Sequence, residues 1–282
     1  MSGTGLDAAF AHCARLLRDE NRPRYAARLF VAEPARNAVL ALDAFRLETR
    51  RIPFLVSEPI PGEIRLQWWR EVLRGERAGE AEAHPVAQAL LEVVTGHHLP
   101  VPAFERYLDA LAFDLYHDAM PDAAAFEGWI GETESFLLQI QAIVCGAQTG
   151  TGLADACGHG GMALGIARLL RLLSWYRRRE QHPFPPQYLD GMDRETWLSA
   201  AGAAHHGLVQ SIAARGLDHA ARARSAIRRL DKPHRAVFLP LCEAEALLQK
   251  ASRDGAAAFG QMLEIAPLAL QWRYWKTALA GF

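Results

Sequence analysis

Helical periodicity is the feature that most constrains the fold of this 282-residue chain. After the proline at position 34, apolar residues such as Val39, Leu42 and Phe45 recur at the spacing of one face of an α-helix. β-branched residues rarely alternate with the period of two that a strand would show. No internal repeat, low-complexity tract or long linker divides the chain. The sequence therefore predicts an all-α fold in which residues 1–282 form one domain.

Charge and cysteine content narrow the class of protein. The chain carries 31 Lys and Arg against 32 Asp and Glu, whereas a nucleic-acid-binding protein normally has a basic excess, so we expect no nucleic-acid partner. The four cysteines lie far apart without a CxxC pair, as is typical of reduced thiols. Residues 1–21 lack the apolar core of a secretory signal, and the longest uncharged stretch, residues 136–154, is too polar to span a bilayer. These features predict a cytoplasmic protein.

Motifs of several common chemistries are missing from the sequence. It contains no HExxH, no Cys/His set with zinc spacing and no GxSxG elbow. The glycine-rich residues 158–162 lack the GxxxxGK[ST] pattern, and we interpret them as close helix packing or a helix bend. We therefore expect neither a zinc site nor a phosphate loop.

Three stretches together carry a family signature. They are residues 21–25 (NRPRY) with 36 and 41–48 (ALDAFRLE), residues 62–70 (GEIRLQWWR), and residues 165–171 (GIARLLR) running on to 185–189. With these motifs the chain resembles the squalene/phytoene synthase family, in its shorter bacterial branch. That branch also resembles the mitochondrial respiratory complex I assembly factor built on the same fold. The resemblance implies a single-domain isoprenoid synthase fold, a helical bundle around a central cavity.

The resemblance also implies a metal-dependent chemistry. Active members of the family join two prenyl diphosphates head to head, with paired aspartates on facing helices. Residues four apart lie on one helix face, so such carboxylates hold Mg²⁺ ions against the diphosphate. The bound metals stabilise the departing diphosphate.

This sequence departs from the family pattern at both aspartate motifs. The first pair should fall at Arg50 and Phe54, and the second, by ungapped counting, at Leu172 and Tyr176. None of these four side chains is a carboxylate. We therefore expect no metal and no cofactor, with Mg²⁺ required only if the chain is an active prenyltransferase.

Ligand-binding candidates follow from the matched motifs and from the arginines of an otherwise apolar helix. We expect the following residues to line the cavity: Arg22, Arg24, Tyr25, Glu48, Arg51, Arg65, Gln67, Trp68, Arg171 and Tyr176. Glu48 lies in an apolar run, so its carboxylate needs a partner, for which Arg65 or Arg171 is the natural choice. A structural ion pair is the favoured interpretation of Glu48, and a general base is the alternative.

Other acidic residues offer weaker metal sites. Asp114 and Asp118 form a literal DxxxD, which we interpret as a solvated acidic turn before a loop. Glu132 and Glu134 are expected to begin the following helix, where a negative charge interacts favourably with the N-terminal end of the helix dipole.

Three functional hypotheses result. The favoured one is a non-catalytic protein that binds an isoprenoid or lipid, or that assists respiratory complex I assembly through a protein partner. Its arginine-rich helices are also compatible with peripheral association at an anionic membrane. The first alternative is an active head-to-head prenyl diphosphate transferase that uses displaced acids, namely Glu48, Asp43 or Asp114. The second alternative is a partner-binding helical bundle with a packed interior.

Overall fold

The computed structural model describes residues 3–116 and 118–282, and within these ranges the chain contains helices and turns but no strand. The chain divides into two compact units. Unit 1 comprises residues 3–116, 139–148 and 232–237; unit 2 comprises residues 118–138, 149–231 and 238–282. The expectation of one domain over residues 1–282 stays a prediction, and each unit is described by itself.

Unit 1 is built mainly from the first eight helices. They are α1 (Gly3–Glu20), α2 (Arg22–Arg28), α3 (Ala35–Arg50), α4 (Ile52–Leu55), α5 (Pro59–Leu73), α6 (Ala78–Ala83), α7 (Pro85–Gly96) and α8 (Val101–Ala112). Helix α3 packs on α1 and α7, and α5 packs on α8. The apolar face predicted after Pro34 is the buried face of α3.

Local sequence signals explain where these helices begin. The side chain of Asn21 accepts a hydrogen bond from the backbone N–H of Arg24 at 3.3 Å and so caps α2. Pro59 and Pro85 stand at the first positions of α5 and α7, where a missing N–H costs nothing. In unit 1, prolines and a capping asparagine therefore mark where helices begin, as the sequence indicates.

Aromatic residues fill the centre of unit 1. The ring of Phe45 on α3 lies 5.0 Å from that of Trp69, 5.9 Å from that of Phe104 and 5.5 Å from that of Tyr107. The hydroxyl groups of Tyr107 and Thr49 are 2.8 Å apart and hydrogen-bonded. This packing orients the last turns of α3, which carry residues 41–48 of the first motif.

The remaining helices belong mostly to unit 2. They are α9 (Ala123–Ile130), α10 (Phe136–Val144), α11 (Thr151–Arg171), α12 (Leu173–Arg178), α13 (Arg194–Leu198), α14 (Ala203–Ile227), α15 (Lys232–Arg235), α16 (Leu241–Asp254) and α17 (Pro267–Ala280). Residues 139–144 of α10 and all of α15 belong to unit 1. Helices α11, α14 and α16 pack on one another, and α17 packs on α16.

Glycines allow close approach to α11, as the sequence predicts. A β-carbon at Gly161 would lie 2.0 Å from Oγ and 2.7 Å from the backbone nitrogen of Ser135. At Gly158, one turn earlier, a β-carbon would meet nothing within 4 Å. Close packing is therefore confined to part of the glycine-rich segment.

The expectation for Glu134 is wrong. Glu132 and Glu134 lie in a π-helical turn, Gly131–Ser135, that joins α9 to α10 without a break. Glu134 is buried, and its carboxylate lies 3.7 Å from Nε of Arg168. Its role is therefore in an ion pair inside unit 2 and not at a helix N-terminus.

No helix in the described ranges combines the length and apolar character that a membrane span requires.

Candidate functional site

A buried arginine–aspartate cluster in unit 1 includes Arg24 and Asp43 of the first motif. Nε of Arg28 donates to Asp43 at 2.5 Å, and its other nitrogens donate to Oε1 of Gln141 and to the carbonyl of Val237, both at 2.6 Å. Nε of Arg24 lies 3.1 Å from the same carboxylate. The side chains of Arg28 and Asp43 are fully buried. Two arginines thus hold one aspartate in the interior of unit 1.

The charge of the cluster controls the ionisation of Asp43. Burial by itself would raise the pKa of this carboxyl. The guanidinium groups of Arg24, Arg28 and Arg46, with the hydrogen bond from Arg28, outweigh burial and lower its pKa to about 2. Asp43 is therefore a carboxylate at neutral pH, and its oxygens are paired with Arg24 and Arg28.

Of the candidates in the first motif stretch, only Arg24 enters this cluster. Arg22 is exposed and Tyr25 is half-buried. Sequence reasoning missed Arg28 and Gln141. Two signals could have found them, because Arg28 lies four residues after Arg24 on one helix face and Gln141 is a polar residue in an apolar helix.

Arg50, the residue predicted for the first aspartate-motif position, is buried. Arg50 is 8% exposed, and its Nη1 lies 3.5 Å from Oδ2 of Asp114. Phe54, the partner position, is exposed. The interpretation of Asp114 as solvated is wrong, since this residue is 7% exposed and faces Arg50, whose charge makes its burial tolerable. Asp118, by contrast, is exposed.

Glu48 pairs with Arg51, three residues further along the chain. Nη2 of Arg51 donates to both oxygens of Glu48, at 2.8 and 2.7 Å. The expected partners Arg65 and Arg171 are therefore wrong: Arg65 is exposed, and Arg171 lies 3.1 Å from Glu243 in unit 2. The predicted ion pair exists, but it joins Glu48 in the last turn of α3 to Arg51, the residue that follows the helix.

Four of the ligand candidates line one groove of unit 1. This groove has a volume of about 250 Å³. Its walls are Glu48, Arg51, Ile52, Leu55, Arg65, Trp68, Trp69 and His84. Burial lowers the pKa of His84, against the opposing charge of Glu48, so its imidazole is biased towards the neutral form. The groove combines an indole wall with two arginines and one carboxylate.

Gln67 lies in a neighbouring, more open groove of about 590 Å³. Ion pairs dominate it, for example between Arg77 and Glu71 at 2.7 Å. Nε1 of Trp68, which touches both grooves, donates to Glu80 at 2.8 Å. Gln67 itself donates to Glu71 at 3.0 Å. This second groove is a solvated polar surface.

The two residues predicted for the second aspartate pair lie in unit 2. Leu172 is half-buried at the break between α11 and α12, and Tyr176 is buried. The ring of Tyr176 packs edge-on against Trp175 with centroids 4.9 Å apart. The guanidinium group of Arg179 lies over the ring of Trp175, 4.8 Å from its centroid. An aromatic and cationic cluster thus stands at this position.

The residues at the four predicted motif positions do not fit the magnesium that the resemblance implies. Mg²⁺ binds hard oxygen ligands, usually carboxylates and phosphates. Arg50 supplies a guanidinium, Phe54 a phenyl ring, Leu172 an aliphatic chain and Tyr176 a phenol. In the part of the chain that the structure describes, no group of three or more His, Cys, Asp or Glu is arranged to hold a metal ion.

Comparison with known proteins agrees with this fold. The family model for squalene/phytoene synthase matches residues 17–275. The proteins named NADH dehydrogenase (ubiquinone) complex I, assembly factor 6, from Bos taurus and Homo sapiens are each 26% identical over 282 residues, covering 98% of this chain and 84% of their own length.

Solved structures show the same architecture. The squalene synthase HpnC from Alicyclobacillus acidocaldarius has a TM-score of 0.76 at 18% identity, covering 90% of this chain and 97% of its own. A dehydrosqualene synthase in complex with a ligand has a TM-score of 0.77 at 13% identity, covering 98% of each chain. The predicted all-α isoprenoid synthase fold is confirmed.

Proposed function

This chain belongs to the squalene/phytoene synthase family, and we propose that it is a non-catalytic member that acts as a respiratory complex I assembly-type factor and binds an isoprenoid or lipid. Relatives that carry the assembly-factor name match nearly the whole chain. They support a role that depends on a protein partner. The free cysteines, none of them fully exposed, support a cytoplasmic location.

One observation carries the proposal. Each carboxylate considered as a substitute for the family's aspartates, namely Asp43, Glu48 and Asp114, lies 2.5–3.5 Å from an arginine nitrogen. A magnesium ion would have to displace these guanidinium groups before it could bind the oxygens. The ion pairs favour a scaffold whose acidic groups serve folding and not metal-dependent catalysis.

An activity assay distinguishes the proposal from the active-transferase alternative, which predicts turnover of prenyl diphosphates. We expect purified protein, incubated with Mg²⁺ and farnesyl or geranylgeranyl diphosphate, to release no diphosphate and to form no joined hydrocarbon product. A dehydrosqualene synthase assayed in parallel is the positive control. Turnover by this chain above the level of a heat-denatured sample would contradict the proposal and support the alternative.

The assembly role needs a cellular measurement. Deletion of the gene in its native host should lower the amount and the NADH-oxidising activity of complex I, and the wild-type gene should restore both. An unchanged amount of complex I in the deletion strain would refute this role. The simpler alternative of a partner-binding helical bundle would then remain.

Ligand binding is tested separately. Native mass spectrometry of protein purified without detergent should show a bound lipid-sized mass, which solvent extraction then identifies. Calorimetric titration with a farnesyl diphosphate analogue should give the same affinity with and without Mg²⁺. An affinity that depends strongly on Mg²⁺ would show that a metal–diphosphate site exists after all.

A further inference from the structure

Helix α17 presents an apolar stripe to solvent. Leu268 and Leu279 are each 81% exposed, Trp272 is 71% exposed and Trp275 is 56% exposed. At roughly 100° per residue, these four side chains fall within an arc of about 60° on the helix. The opposite face is buried, with Leu270, Tyr274 and Thr277 at 9% exposure or less.

Exposed apolar side chains are usually scattered on a protein surface, and a continuous stripe commonly marks an interaction site. At about 250 Å² for a complete tryptophan side chain, the exposed fractions of Trp272 and Trp275 leave roughly 320 Å² of indole surface on one helix. Together with the same surface on a second copy of the chain, it supplies about half of the 1,200 Å² that a small specific interface buries. The two leucines at the ends of the stripe add to this area.

The order of residues in the stripe reads the same in both directions. The spacing is four, three and four residues, with leucine at both ends and tryptophan at both central positions. A two-fold axis perpendicular to α17, lying between two copies of the helix and level with the midpoint of Arg273 and Tyr274, would therefore place each leucine against the other leucine of a second, antiparallel copy. It would place Trp272 against Trp275 in the same way. A two-fold interface requires this kind of self-complementary patch.

We propose that α17 is the contact through which two copies of this chain form an antiparallel, two-fold dimer. The proposal does not depend on the function proposed above. The spacing of the stripe is that of helix-to-helix knob packing, in which side chains four and three residues apart interlock. The dimer would cover the whole apolar stripe.

The charges beside the stripe set its salt dependence. Residues 267–280 contain no acidic residue, and exposed Lys276 lies on one flank of the stripe. The two-fold axis brings Lys276 of both copies to the same side, where they repel each other within a Debye length of about 10 Å at 0.1 M salt. Added salt should therefore tighten the dimer, whereas it would weaken binding of the same helix to an anionic membrane.

Sedimentation equilibrium of the full chain is the test. The wild type should dimerise at micromolar concentration, and L268E or L279K should each raise the dissociation constant at least tenfold. In the double variant L268E/L279K, opposite charges meet across the antiparallel interface, so dimerisation should recover towards the wild-type value. The matched control is I64E on α5 of unit 1, at a side chain 64% exposed. It should leave the dissociation constant unchanged.

Several outcomes would overturn the proposal. They are a wild type that stays monomeric, a dimer that L268E does not weaken, and a double variant no better than either single one. Wild-type protein that remains monomeric but sediments with phosphatidylglycerol vesicles, and is released by salt, would show that the stripe docks on a membrane instead. Circular dichroism of each variant confirms that the substitutions, all at exposed positions, leave the fold intact.

Discussion

Replacement of Asp43 by asparagine tests the buried cluster of unit 1. The substitution keeps the shape of the side chain but removes its negative charge. Arg24 and Arg28, at 3.1 and 2.5 Å, would then be buried without this carboxylate. Removal of one member of a buried ion pair costs about 3–5 kcal/mol, since the remaining charge loses its compensation. We expect D43N to lower the free energy of unfolding by about that amount.

The pKa of Asp43 gives an independent magnitude. Its ordinary value is 3.8, and the folded protein lowers it to about 2. Because one pKa unit corresponds to about 1.4 kcal/mol, ionised Asp43 stabilises the folded state by roughly 2–3 kcal/mol. The folded pKa is the lower one, so this contribution is present above the unfolded value and is lost as the pH falls from about 4 towards 2.

Urea unfolding followed by circular dichroism measures both effects. Wild-type protein should lose stability as the pH falls from about 4 to 2, and D43N should lack this component. The matched control is D218N, because Asp218 is 55% exposed and pairs with Arg222 at the surface. This control should change the stability by less than about 1 kcal/mol. A D43N protein as stable as D218N, with an unchanged acid profile, would refute the assignment of the cluster.

Two further predictions concern packing and thiol reactivity. G161A should destabilise the protein by about 1–3 kcal/mol because the new methyl group meets the backbone of Ser135, while G158A on the same helix should be neutral or stabilising by up to about 1 kcal/mol. Thermal unfolding of both variants checks this, and equal effects would contradict it. Burial raises the pKa of Cys13 and of Cys157 to about 12, so neither thiol should react with Ellman's reagent at pH 8 until the protein is unfolded. Rapid labelling of either cysteine in the native protein would show that its environment is open.

Much of the fold follows from local sequence. Periodicity and proline placement predict the helices, and the buried face of α3 is the one that its pattern indicates. The π-helical turn at residues 131–135 was not predicted. It inserts extra backbone into an otherwise regular helix, and the residue pattern gives no signal for it.

The ion pairs of the candidate site are harder to predict from local sequence. Ion pairing of Glu48 was predicted, yet its partner is Arg51 and neither Arg65 nor Arg171. Asp114 lies in an acidic stretch whose sequence is typical of a solvated turn, but the packing of α8 and the end of α3 buries it beside Arg50. Helical spacing shows which residues share a face, and it does not show which distant face lies opposite.

By itself, the sequence determined that this chain is helical, because helical periodicity depends on residue identity and short-range spacing. That Arg50, Phe54, Leu172 and Tyr176 stand at the family's aspartate-motif positions stays a prediction from the resemblance. Only the tertiary structure decided which arginine neutralises each remaining acid. Arg28 meets Gln141 across 113 residues of sequence, since burying a charge requires a partner that only chain folding brings within reach. The long-range contact between Arg50 and Asp114 likewise makes a potential metal ligand part of a structural ion pair.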